Sequence, residues 1–168
     1  MGNDLRDLLW RQFGGAVQML DNAMAACPPE VWGERLDPFE FWYIAYHTLF
    51  WLDHYASESP EGFRPPAPFG LSELDPAGLL PERVYSPAEL RGYLAHGREK
   101  GRALIRSLSG LDDPRRFVNA RRDYSLPELV IYNTRHVQHH TAQLNLLLRQ
   151  RTGRAPEWVS HPAQGLDG

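Results

Sequence analysis

Three stretches of the chain carry the same helix-start signal, and that repetition limits the fold more than any other feature. Asp37-Pro38-Phe39-Glu40, Ser86-Pro87-Ala88-Glu89 and Ser125-Leu126-Pro127-Glu128 each combine a capping oxygen, a proline in the first turn and a glutamate at the third position that reaches back to open amides. Proline is harmless there, because the N–H it lacks would have no intrahelical partner. A fourth helix is expected to start near Asn3, with Leu5, Leu8, Leu9, Phe13, Ala16, Leu20 and Met24 along one side, and to stop at Cys27-Pro28-Pro29. The expected helices cover residues 3–27, 37–57, 86–108 and 125–151, with Gly153 capping the last. Helices of roughly 20 residues, without the alternation of strands, predict an all-α fold, a four-helix bundle.

The connections are unequal. Residues 58–85 hold Pro60, Pro65, Pro66, Pro68, Pro76 and Pro81, too many for a short hairpin and enough chain to travel the length of a bundle. The second and third helices are therefore expected to run parallel, joined by a long crossover. The tail after Gly153 has one anchor in Trp158 and otherwise reads as loosely held. With 168 residues and no internal linker, the chain 1–168 reads as a single domain that needs no metal or disulfide merely to fold.

Composition excludes some functions. No run approaches the ~20 apolar residues of a membrane span, and the opening "MGNDLRDLLWRQF" breaks its apolar positions with charges, unlike a signal peptide. The lone Cys27 excludes an internal disulfide, which fits a reducing, cytoplasmic setting. It reads as a small buried hydrophobe, not a nucleophile. A net charge of −3 gives no general attraction to nucleic acid. Arg115, Arg116, Arg121 and Arg122 in "RRFVNARR" offer a local exception able to hold an anion, beside the plainer reading of a solvated loop between helices. Gly14-Gly15 inside the first helix is expected to permit close helix packing.

The chemistry concentrates in "RHVQHHTAQL", residues 135–144. On a helix turning ~100° per residue, His136 and His140 share one face, one turn apart. Adjacent His139 and His140 diverge and cannot serve one ion; His136 with His139 is the competing pair. Two imidazoles hold a metal weakly, and a third can come from "AYHTLFWLDHY" in the second helix, through His47 or His54. A core histidine hydrogen-bonded among aromatics is the plain reading of His47 alone. Three imidazoles in one bundle core instead favour a divalent ion with positions left open for water or substrate. This is not a metalloprotease H-E-x-x-H, because Val137 and Gln138 stand where that motif needs other residues. The same face of the last helix continues through Leu129, Tyr132, Asn133, Gln143 and Leu147. Tyr132, Asn133 and Gln143, with Tyr43 and Trp51 of the second helix, are the expected substrate-binding residues around the ion.

"HVQHHTAQL" in the last helix, "YHTLFWLDHY" in the second, the proline-bearing crossover and the length together resemble the DinB-like family of metal-binding four-helix bundles, over about residues 3–150. The resemblance implies ligands at His47, His136 and His140, with His139 a neighbour. Many members have arginine-glycine where this chain has Thr141-Ala142, so any role of that arginine is absent or supplied elsewhere. Three imidazoles suit a divalent metal such as Zn, Ni or Fe, able to activate a thiol or, as in a hydrolase-like enzyme, water; the resemblance further implies a homodimer with a low-molecular-weight thiol such as bacillithiol or mycothiol as cosubstrate, acting as a transferase or isomerase on a small electrophile. The alternative is a non-catalytic, metal- or ligand-binding stress-response module.

Overall fold

The computed structural model describes residues 4–35 and 40–167. The fold is mostly helical, with a small two-stranded sheet. Its elements are α1 (Leu5–Ala26), α2 (Pro29–Trp32), α3 (Phe41–Tyr55), α4 (Pro87–Ser107), β1 (Arg116–Asn119), β2 (Arg122–Ser125) and α5 (Leu126–Thr152).

The expected helix-start chemistry is complete at Ser86 and half realised at Ser125, where the hydroxyl caps without a capping box. Ser86 caps α4 in a full capping box with Glu89, and the Ser125 hydroxyl accepts from the Glu128 amide at the head of α5. Asp37, Pro38 and Phe39 lie outside the described residues. The helix that follows them begins at Phe41, with Glu40 at the N-cap and no side-chain cap. α1 is capped by Asp4 and ends before Cys27, and Gly153 closes α5 in the left-handed conformation at φ 75°. One residue of the expected α1 face is misplaced: Leu8 is exposed, while Trp10 and Val17 are buried.

α1 packs against α4 and α5, and α3 packs against the same two helices. Contacts between α3 and α4 climb in the same sense along both. The Tyr46 and Tyr85 rings meet at the start of α4, Leu52 lies against Gly97, and Ser57 accepts from Lys100. Between α3 and α5 the order is reversed, since His47 meets His140 while Leu52 accepts from Asn133. A 58–85 segment that carries the chain from the end of α3 back to the start of α4 accounts for both directions. It includes one turn of 3-10 helix at Ser72–Leu74, and Phe63 and Phe69 pin it into the core.

Two regions depart from the sequence reading. The arginine-rich stretch is a hairpin, with Phe117 opposite Tyr124 and Asn119 opposite Arg122; buried Phe117 ties it to the core. The tail is packed, though not through Trp158, which is 70% exposed. The Gln164 carbonyl accepts from the Trp10 indole at 2.9 Å, Leu166 is buried, and Pro162 lies against Gly14, where a Cβ would come within 2.9 Å of its Cγ. Gly14 and Gly15 thus make room for the tail, not for a second helix. Among the described residues, no helix is long and apolar enough to cross a membrane.

Candidate metal centre

Because α3 and α5 lie side by side in opposite directions, His47 arrives beside two consecutive turns of α5. Its ring centroid is 5.6 Å from that of His136 and 4.8 Å from that of His140, and the two α5 rings are 4.7 Å apart. One ring nitrogen from each residue lies within 4.8 Å of the other two. His139 is exposed, with its ring 5.0 Å from His140, and is not part of this group. His54, the other candidate on α3, is a core histidine caged by Phe63, Phe117 and Trp51 at 4.8, 5.5 and 5.3 Å.

Hydrogen bonds assign the free nitrogens. His47 Nδ1 is 2.6 Å from Glu73 Oε2, so Nδ1–H donates to the carboxylate and Nε2 is left as the lone-pair nitrogen. His140 Nδ1 is 2.6 Å from Gln143 Oε1, which can only accept, and again Nε2 is left. At His136 both ring nitrogens are buried without a partner among the described residues. A buried imidazole normally satisfies at least one of its nitrogens, since leaving a polar atom dry costs about 1–3 kcal/mol. Burial, followed by the neighbouring imidazoles, pushes His136 down to about 2, and burial pushes His140 down to about 4. Both are neutral at physiological pH, the form that donates to a metal. The residues present therefore fit a divalent cation bound by nitrogen.

Glu73 is the residue that sequence reading missed. Its side chain is 4% exposed, sits in the 3-10 turn of the crossover, and also accepts from the Tyr43 hydroxyl at 2.9 Å and the Trp51 indole at 3.1 Å. Burial alone would raise its carboxyl, but the bonds from His47, Tyr43 and Trp51 outweigh that and hold it below the usual range. A carboxylate behind a ligating imidazole fixes the ring and raises its basicity. The Glu73→Gln variant is expected to keep its fold yet bind metal about 10–100-fold more weakly, as read by competition with a chromogenic chelator.

The other expected site residues are distributed unevenly. Tyr43 and Trp51 stand beside His47, each with its ring 6.3 Å away, and both hold Glu73. Gln143 supports His140. Asn133 is buried between the helices, donating to the Leu52 carbonyl at 3.0 Å. Tyr132 accepts from Arg122 at 2.9 Å and stacks edge-on with Tyr55. An open groove of about 660 Å³ runs between α1, α5 and the tail, lined by Gln12, Gly15, Arg135, His139 and Trp158 among others; it reaches the centre only at Tyr132 and His136.

His54 supplies a pH signature of the metal-free protein. Burial pushes it down to about 4, whereas the unfolded chain titrates near 6.5. The unfolded state therefore binds the proton first, and stability is lost as pH falls from about 6.5 toward 4. With chelator present, wild type is expected to lose about 2 kcal/mol more than His54→Phe between pH 7 and pH 5, measured by urea denaturation.

The DinB superfamily model matches residues 12–144, a span holding His47, His136, His140 and Glu73. Comparisons with curated proteins and with solved structures return no match. A match over most of the chain, on a mostly helical fold with three clustered histidines, places this protein in the DinB superfamily.

Proposed function

We propose that the protein is a metal-dependent enzyme on a four-helix bundle with a long crossover, using a small thiol against a small electrophile. The helix pairings and the shared direction of α3 and α4 support the bundle. The observation that carries the function is His136, with both nitrogens buried and unpartnered beside His47 and His140. A divalent ion held there supplies open coordination positions and the charge that keeps a thiol ionised near neutral pH.

The chain's own groups do the rest. Glu73 accepts from the Nδ1–H of His47, which keeps the proton on Nδ1 and presents Nε2, while Tyr43 and Trp51 keep Glu73 from turning away. Gln143 does the same for His140. No protein nucleophile is required. Burial pushes the Cys27 thiol up to about 12, and its sulfur is 3.6 Å from the Pro28 carbonyl, so it stays protonated and unreactive.

The test is a conjugation and isomerisation screen with bacillithiol, mycothiol, glutathione and coenzyme A on protein of measured metal content. The expected result is turnover that saturates with one thiol, disappears on chelation and survives Cys27→Ala. Bound metal with no turnover of any of them replaces this reading with the non-catalytic binding module, and activity that survives complete metal removal refutes it.

A further inference from the structure

Of the four arginines of the hairpin stretch, two are committed to carboxylates. Arg115 bonds both oxygens of Asp113 and also reaches Glu58, and Arg116 holds Asp123 at 2.6 Å. Arg121 lies in the exposed turn. Arg122 is different. It is half-buried, and its guanidinium carbon stands 5.4 Å from the Tyr55 ring and 5.2 Å from the Tyr132 ring. Among the described residues its guanidinium bonds a neutral acceptor, the Tyr132 hydroxyl. No carboxylate pairs with it among the described residues, and the nearest in sequence, Asp123, is taken by Arg116.

A guanidinium carries five donors in a planar fork matched to carboxylate or phosphate, and burying part of it without a counter-charge is costly. The two tyrosine faces offset part of that cost and fix the plane of the fork. They also connect it to the metal centre, because the Tyr55 ring that Arg122 covers stands 6.0 Å from the His136 ring. Antiparallel pairing sets this position: Arg122 is the first residue of β2, and α5 starts directly after that strand.

We infer that Arg122 is the anion-recognition residue of the site, binding the carboxylate or phosphate of a substrate whose reacting end lies at the three histidines. This rests on the metal-centred reading above and narrows its substrates to anionic molecules. Neutral thiols or electrophiles of the same size lose the fork and bind more weakly, and lysine, a point charge without the fork, restores only part of the preference.

Calorimetric titration of zinc-loaded protein tests the assignment without requiring turnover. In wild type, 3-mercaptopropionate is expected to bind at least about 10-fold more tightly than 2-mercaptoethanol, a gap typical of one charge-assisted bond. In Arg122→Gln the ratio falls to about one, and in Arg122→Lys it lies between, with zinc content unchanged in both. A ratio near one in wild type, or an undiminished ratio in Arg122→Gln, overturns the proposal. If neither thiol binds while zinc is present, the thiol reading fails. The anion site is then decided by the same comparison with succinate against propionate, where loss of the succinate preference in Arg122→Gln upholds it and an unchanged ratio overturns it.

Discussion

His136→Ala is expected to strip the protein of stoichiometric metal, lowering affinity by more than about 100-fold, since losing only a supporting partner of a ligand already costs 10–100-fold. His47→Ala and His140→Ala fall in the same class, whereas His139→Ala, His96→Ala and His161→Ala retain metal. A second consequence separates a metal site from a structural core. In metal-free protein His136 buries two unpartnered nitrogens, so His136→Leu, close in size and without polar atoms, is expected to raise stability by about 1–3 kcal/mol in the presence of chelator. An ordinary core histidine would lose stability on that change. Thermal unfolding with and without chelator reads both effects, and equal metal retention in wild type and His47→Ala would rule out the triad.

Gly101→Ala is expected to cost about 2 kcal/mol, although alanine is the better helix former by about 1 kcal/mol. A Cβ at Gly101 would sit 2.4 Å from the Phe13 ring, and Phe13 is 1% exposed in the middle of α1. A rigid, enclosed ring cannot give way, so α1 and α4 must separate. Gly97→Ala meets the Leu52 side-chain terminus at 2.5 Å, which can rotate, and is expected to cost less. Gly92 is exposed on the same helix with nothing within 4 Å, so Gly92→Ala should stabilise by up to about 1 kcal/mol. Urea denaturation of the three variants gives the order 101 below 97 below 92 if α4 packs on α1 at Gly101 and on α3 at Gly97, and three equal values if it does not.

The histidine cluster was legible from sequence because its evidence is local: the spacing of His136 and His140 on a helix fixes their shared face before any tertiary contact forms. His47 needed a second helix, where aromatic spacing left it level with His54, and only the family resemblance singled it out. Ser86 and Ser125 were equally plain, since a cap and its glutamate lie within one turn. Glu73 was not legible. It sits in a proline-rich segment without periodicity, 26 residues from His47, and acquires its role only when the crossover lies against α3. The hairpin was missed for a related reason. Its strands have four residues each, too few for alternation to emerge. The tail is not legible because Pro162, Gln164 and Leu166 hold it through single contacts with α1 and α4 that leave no local pattern, while its one large apolar residue, Trp158, is exposed.

Three imidazoles, from α3 and α5, are proposed to surround one divalent ion. X-ray absorption spectroscopy on protein purified without a histidine tag or added metal measures this directly. About one equivalent of a divalent metal is expected, with three imidazole nitrogens at about 2.0–2.1 Å in its inner shell if the ion is zinc and at least one further light-atom ligand. The His47→Ala sample should contain little or none. A metal coordinated by sulfur, or retained in full without His47, would contradict it.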